Sequence, residues 1–185
     1  MTTFKVGYLI GSLAKESINR KLATALVRVA PEHLTFTEIP IRDLPLYSYD
    51  YDAEFPPVAK AFKETIASVD AVLFVTPEYN RSVPGVLKNA IDIGSRPYGH
   101  SVWNKKPGAV VSVSPGAVGG FGANHHLRQS LVFLNVPVLQ QPEMYIGDAG
   151  KLFDANGKLT NDKTRDFLKG FVSEFQRWIA TNAPK

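Results

Sequence analysis

Residues 6–21 read VGYLIGSLAKESINRK, and they pass from a strand pattern to a helix pattern. Val6 to Ile10 is an uncharged apolar run, which is typical of a strand buried on both faces of a parallel sheet. Gly11 ends this run, and after a polar loop the spacing of apolar residues predicts a helix from about Ser17 to Val29. In α/β proteins, a strand, a glycine turn and a helix in this order are typical of an anion-binding turn.

The loop after the first strand carries donors that suit a phosphate monoester. They are the hydroxyls of Ser12 and Ser17, the amide of Asn19 and the ammonium of Lys15. Backbone N–H groups and the helix dipole add positive potential. Neither G-x-G-x-x-G nor the P-loop pattern is present, so the loop suits one terminal phosphate, as on FMN. The alternative is an ordinary strand–helix turn in which Ser17 only caps the helix.

The composition is that of an ordinary globular chain. With 185 residues, 44% hydrophobic and 21% charged, we expect one domain over residues 1–185. The absence of cysteine excludes disulfides and thiolate metal sites, and it fits a cytoplasmic location. The net charge of +4 favours anionic small molecules, while the scattered Lys and Arg residues argue against nucleic acid as a partner. No signal peptide, membrane span or membrane partner is expected.

Further apolar runs alternate with helical patterns along the rest of the chain. The predicted strands are Leu34–Ile39, Asp70–Thr76, Gly108–Ser114 and Pro137–Gln140, and the later helices are expected over 57–68, 84–94, 123–134 and 162–180. This alternation predicts an α/β fold with a parallel sheet, right-handed crossovers and helices on both faces. The expected fold class is a flavodoxin-like doubly wound five-stranded sheet with strand order 2-1-3-4-5.

This strand order brings three loops together at the carboxyl ends of strands 1, 3 and 4, namely 11–19, 77–82 and 115–122. The second loop offers backbone groups and an aromatic side chain to a flat heterocycle. The third has four glycines, which allow close approach of the backbone. Each loop alone could be a plain turn. Their expected convergence favours a binding site.

Metal and hydrolase sites are not expected. The acidic loop 41–57 lacks the turn glycine and the final glutamate of an EF-hand. His125 and His126 are adjacent, so on a helix their side chains diverge by about 100° and cannot chelate one metal ion. The residues around Ser114 do not form the G-x-S-x-G elbow of a hydrolase.

Three stretches in order, GSLAKESINRKLA, TPEYNRSVPGVLKNAID and SPGAVGGFGANHHLRQSL, resemble the NADPH-dependent FMN reductase family, in particular its bacterial quinone, chromate and azo-dye reductases. The resemblance implies an FMN-dependent enzyme that takes hydride from NADPH or NADH in ping-pong order. It implies quinones, chromate, azo dyes or free flavin as acceptors. The alternative is a non-enzymatic flavodoxin-like electron carrier, but such carriers are strongly acidic, whereas this chain is basic.

The resemblance also implies residue roles and an assembly. The FMN phosphate is expected at Ser12, Ser17 and Asn19, with Lys15 nearby. The isoalloxazine ring is expected at Pro77, Glu78, Tyr79, Asn80, Arg81, Ser114 and the backbone of Gly116. No side chain is expected to act as catalytic acid or base, since the flavin carries the hydride. Arg81 is the candidate for stabilising negative charge or guiding an anionic substrate. Similar members form homodimers or homotetramers, commonly through the helices after strands 3 and 4.

Overall fold

A five-stranded parallel sheet lies at the centre of the computed structural model, which describes residues 2–183. Its strands are β1 Phe4–Ile10, β2 Leu34–Glu38, β3 Ala71–Thr76, β4 Gly108–Val113 and β5 Met144–Ile146. Its helices are α1 Ile18–Val29, α2 Pro57–Ala67, α3 Gly85–Ser95, α4 Phe121–Phe133 and α5 Asp162–Asn182. The strands lie in the order β2-β1-β3-β4-β5, so the predicted fold class and strand order are confirmed.

Helices cover both faces of the sheet, which explains why β3 and β4 are buried at every residue. On one face, Leu22 of α1 and Phe171 of α5 pack against alternate strand residues. On the other face, Phe62 of α2, Leu87 of α3 and Leu127 of α4 do the same. Full burial of each such side chain stabilises the fold by roughly 1.5–3 kcal/mol. No helix described in residues 2–183 is long and apolar enough to cross a membrane.

The fifth strand is the element that the sequence pattern places wrongly. The predicted segment Pro137–Gln140 makes a single parallel bridge, from Val138 to Gly108, whereas β5 itself comes later. Pro142 lies between the two segments and has no N–H with which to continue a ladder along β4. The outer strand next to β4 is therefore formed in two short pieces, the bridge at Val138 and β5.

The strands that precede the three loops end close together. Ile10 of β1 is paired with Val75 of β3, and the N–H of Gly11 donates to the carbonyl of Val75 at 2.8 Å. In the next ladder, Thr76 of β3 is paired with Ser112 of β4. The three loops therefore begin side by side at the carboxyl ends of the strands, as predicted.

Candidate functional site at the carboxyl ends of the strands

The first loop leads into the N-terminus of α1 and presents hydroxyl donors. The Oγ of Ser17 caps the helix by accepting from the N–H of Arg20 at 3.3 Å. The Oγ of Ser12 accepts from the N–H of Ala14 at 3.4 Å. Because both hydroxyls act here as acceptors, each retains its own proton for donation to a further group. The first-turn N–H groups of α1 add donors that have no intrahelical partner.

Asn19 and two cations complete this loop. The side chain of Asn19 is buried, and its Oδ1 has no hydrogen-bond partner among residues 2–183. Lys15 is exposed at the tip of the loop. Arg42, which sequence reasoning missed, donates from Nη2 to the carbonyl of Leu13 at 2.6 Å. The only signal for Arg42 in the sequence is a cation shortly after the second strand, at the same edge of the sheet.

The second loop contains a tight turn. Tyr79 and Ser82 exchange backbone hydrogen bonds of 3.1 and 3.0 Å. The two central residues, Asn80 and Arg81, have φ values of 52° and 64°, which is the type I′ conformation. The side chain of Arg81 is 83% exposed. The turn therefore presents an aromatic ring and a cation at the surface.

The base of the second loop lies against the first loop. Pro77 is buried, and the hydroxyl of Thr76 donates to its carbonyl at 2.8 Å. A Cβ placed on Gly11 would lie 3.2 Å from Cδ of Pro77 and 3.1 Å from Leu87 of α3. A side chain at the position that follows β1 would therefore be tight, and Pro77 or Leu87 would have to shift by a few tenths of an ångström to admit it.

Glu78 points from the second loop towards the third. Its Oε2 accepts from the N–H of Ala123, in the first turn of α4, at 3.0 Å. Its side chain is only 17% exposed, and Oε1 lies 3.9 Å from Nη1 of Arg81. The carboxylate of Glu78 therefore connects the second loop to the helix that follows the third.

The third loop is held against β5 by its backbone. The N–H of Ser114 donates to the carbonyl of Ile146 at 3.0 Å. The Oγ of Ser114 accepts from the N–H of Gly116 at 3.1 Å. Gly119 has a φ of +65°, and a Cβ there would lie 2.7 Å from the backbone of Tyr145. The loop therefore needs glycine at this position for both conformation and space.

A buried polar network supports the third loop from below. Asn124 of α4 is fully buried, and its Nδ2 donates to the Oγ of Ser112 and to the carbonyl of Met144, both at 3.2 Å. Its Oδ1 accepts from Nε of Arg128 at 2.9 Å. Burial lowers the pKa of the Arg128 guanidinium, against the opposing effect of the Glu143 carboxylate. The network ties α4 to β4 and β5, and the sequence pattern did not predict it.

The two adjacent histidines of α4 have different partners. His125 places Nε2 2.8 Å from the hydroxyl of Tyr145, and its ring lies 4.3 Å from that of Phe121, between centroids. His126 places Nδ1 2.8 Å from the Oγ of Ser82. Burial and the Glu143 carboxylate raise the pKa of Tyr145. Within residues 2–183, no three His, Cys, Asp or Glu side chains are grouped to hold a metal ion.

Two clefts lie away from these loops. One of about 470 Å³ is lined by residues near the ends of α3 and α4, including Tyr98 and Phe133. Another, of about 440 Å³, lies beside α2 and includes Lys63 and His100. The three loops lie at the switch point of the strand order, which is where open α/β sheets bind their ligands.

Comparison with known proteins gives a consistent result. Residues 4–151 match the family of NADPH-dependent FMN reductases. The chain belongs to this family. It is 62% identical to a quinone reductase from Pseudomonas putida, over 97% of this chain and 96% of that protein. It is 48% identical to a 2-hydroxy-1,4-benzoquinone reductase from a Burkholderia species, over 95% of this chain and 96% of that protein.

A solved structure agrees with the sequence relatives. FerB, a flavoenzyme NAD(P)H:(acceptor) oxidoreductase from Paracoccus denitrificans, superimposes with a TM-score of 0.92 at 41% identity, covering 98% of this chain and 100% of that one. This FMN reductase family member is therefore an FMN- and NAD(P)H-dependent oxidoreductase on a flavodoxin-like fold.

Proposed function

We propose that the enzyme transfers reducing equivalents from NAD(P)H to quinones in ping-pong order, with chromate, azo dyes and free flavin as further acceptors. The three loops would hold FMN, and FMN would supply the chemistry of accepting a hydride and donating electrons, for which the side chains have no group of their own. The observation that carries the proposal is the meeting of three donor-rich loops at the switch point of the sheet. The names of the Pseudomonas putida and Burkholderia relatives support quinones as the acceptor class.

We assign the phosphate and ribityl chain of FMN to the first loop. Ser12 and Ser17 would donate their free hydroxyl protons to phosphate oxygens, and Lys15 would supply charge. The buried Oδ1 of Asn19 is an acceptor without a partner among residues 2–183, and a ribityl hydroxyl would satisfy it. Hydrogen bonds to a charged group contribute about 1.5–3 kcal/mol each, so each of these donors would add to the affinity for the phosphate.

We assign the isoalloxazine ring to the second and third loops. Pro77, Tyr79 and Asn80 would line one edge, and Ser114 with the backbone of Gly116 would line another. The left-handed turn keeps Arg81 exposed beside this edge. Its guanidinium would stabilise negative charge on the reduced ring or attract an anionic substrate. The chain needs no further acid–base side chain for hydride transfer.

The assembly is proposed to be a homodimer or a dimer of dimers. On the side of α3 and α4, Tyr98, Val132 and Phe133 are 88%, 72% and 87% exposed. Three large exposed apolar side chains near the ends of two helices favour contact with a second copy. The single-domain organisation and the cytoplasmic location inferred from the sequence stay predictions.

An anaerobic absorbance titration tests the proposed function. NADPH is added to the FMN-loaded protein, and a quinone is added once the flavin band has changed. Bleaching followed by recovery shows that this chain completes both half-reactions. A parallel sample of free FMN serves as the reference. A bound flavin that NADPH cannot bleach indicates an electron carrier instead. A protein that does not bind FMN contradicts the site assignment as well.

A further inference from the structure

Helix α4 begins without a capping side chain of its own. Its N-cap residue is Gly120, in the left-handed conformation with φ of 76°. The first turn contains no acidic residue. The exposed N–H groups of a helix N-terminus require acceptors, which Ser, Thr, Asp or Asn usually provide. Here the acceptor has to come from another part of the chain.

Glu78 supplies that acceptor from the second loop. Its Oε2 lies 3.0 Å from the N–H of Ala123, the third residue of α4. This is the position at which an N-cap side chain would normally bond. The partial positive charge of the helix N-terminus also favours the carboxylate. Glu78 therefore caps a helix that begins more than forty residues later in the chain.

The glycine at position 122 makes room for this contact. A Cβ there would lie 2.9 Å from Oε2 of Glu78 and 3.1 Å from the carbonyl oxygen of Arg81. The backbone carbonyl is fixed by the turn, whereas the carboxylate can move. A methyl group at Gly122 would therefore displace the carboxylate first. One turn further along α4, the contact between Ser82 and His126 holds the same turn.

We propose that Glu78 is a positioning residue whose carboxylate clamps the ring-binding turn 79–82 to the N-terminus of α4. The inference rests on the proposed function, because the second and third loops are the two that would enclose the isoalloxazine ring. The clamp fixes the spacing between them. It also pairs the carboxylate with a helix N-terminus, so that its negative charge is offset close to a ring that becomes anionic on reduction.

Three variants separate this role from general stability. Glu78→Ala removes the acceptor, and Glu78→Gln keeps an oxygen that can accept from Ala123. Gly122→Ala keeps the carboxylate but displaces it, although alanine at a helical position otherwise favours the helix. The matched control is Asn161→Ala, which removes the side-chain cap of α5, a helix that none of the three loops belongs to.

The measurements are the Kd for FMN, from quenching of flavin fluorescence, and hydrogen exchange of the Ala123 amide in the FMN-free chain. We expect Glu78→Ala and Gly122→Ala to weaken FMN binding about tenfold or more and to speed the exchange of Ala123. Glu78→Gln should stay within about threefold of the unsubstituted chain. Asn161→Ala should lower the melting temperature and leave the Kd unchanged.

The outcomes distinguish the clamp from the function. If Glu78→Ala binds FMN like the unsubstituted chain, or if Glu78→Gln is as damaged as Glu78→Ala, the clamp is overturned while the flavin assignment stands. If the unsubstituted chain fails to bind FMN, the proposed function is wrong. Ala123 exchange then still decides whether Glu78 caps α4, and unchanged exchange in Glu78→Ala overturns the clamp as well.

Discussion

The indole ring of Trp103 lies directly against Gly94. A Cβ at Gly94 would fall 2.5 Å from Nε1 of this indole. The indole is fully buried and donates from Nε1 to the carbonyl of Ile91 at 2.9 Å, so it has little freedom to move. The contact fixes the segment after α3 to the body of that helix, whose other end follows the second loop.

Gly94→Ala is therefore expected to destabilise the fold. Overpacking a rigid site lowers the free energy of unfolding by about 1–3 kcal/mol. The control is Gly170→Ala on α5, where a Cβ meets no atom within 4 Å. This control should raise the free energy of unfolding by roughly 0.5–1 kcal/mol through helix propensity. Urea unfolding measures both, and a Gly94→Ala variant as stable as the parent contradicts the rigid contact.

Ser17→Ala tests the phosphate assignment against simple capping. Ser17 caps α1, and Asn161 caps α5 by accepting from Thr164 at 2.8 Å. Each alanine variant should lose about 0.5–2 kcal/mol of stability. Only Ser17→Ala should also weaken FMN binding, by roughly ten- to a hundredfold, because it loses a bond to a charged group. Equal FMN affinity in both variants would leave Ser17 as a cap alone.

Arg81→Ala tests the charge near the ring. We expect slower flavin bleaching by NADPH, by about tenfold. The melting temperature should be unchanged, because the Arg81 guanidinium is 83% exposed and lies 3.9 Å from the Glu78 carboxylate, so that this ion pair contributes little. Arg177→Ala is the matched control, since Arg177 is 75% exposed and also pairs with a glutamate three residues away. Stopped-flow absorbance gives the rates. Unchanged rate and unchanged flavin affinity in Arg81→Ala would remove Arg81 from the mechanism.

Phe133→Glu tests the proposed assembly. A charge in the middle of an apolar contact is costly to bury, so this variant should run as a monomer in light scattering. Phe167→Glu is the control, because Phe167 is 39% exposed on α5, which packs on the opposite face of the sheet from α3 and α4. It should keep the mass of the parent. A parent protein that is already monomeric at micromolar concentration contradicts the proposal.

The ion pair between Asp52 and Arg96 makes the stability of the fold depend on pH. Burial of the Asp52 carboxyl is outweighed by hydrogen bonds from Arg96 and Tyr47, which hold the pKa of Asp52 below its ordinary value. Stability from this pair is thus present above the unfolded pKa of about 3.9 and is lost as the pH falls through the lower folded value. Asp52→Asn should melt below the parent at pH 7, with a smaller difference in acid. Differential scanning calorimetry at pH 7 and in acid measures both melting temperatures, and equal melting of Asp52→Asn and the parent at pH 7 would contradict the pairing of Asp52 with Arg96.

Much of the fold follows from local pattern, because strands buried on both faces are continuous apolar runs. The strand order follows from the handedness of the crossovers and from the lengths of the connections. The predicted position of the fifth strand was wrong because Val138 and Leu139 give the stronger apolar signal, while β5 has only three residues, Met144–Ile146. A short edge strand carries too little pattern to outweigh its neighbour.

The candidate site, like the fold, has one part that the sequence could predict and one part that it could not. The loops were predictable because the carboxyl ends of parallel strands must share one edge. The bonds between them were not, because Glu78 and Ala123 lie far apart in sequence and the donor is a backbone N–H, which every residue other than proline has. Arg42 and Asn124 likewise act through carbonyl groups and buried partners that only the folded chain brings within reach.

The three loops of the proposed FMN site follow strands β1, β3 and β4, which lie far apart in the chain, so the site we propose needs the folded chain. FMN will therefore bind the native state alone, and flavin supply becomes a determinant of how long the protein survives. At a free FMN concentration a hundredfold above Kd, the native state gains about 2.7 kcal/mol. In a cell short of flavin this contribution to the free energy of unfolding is lost, so the chain unfolds more often and is degraded more readily by proteases.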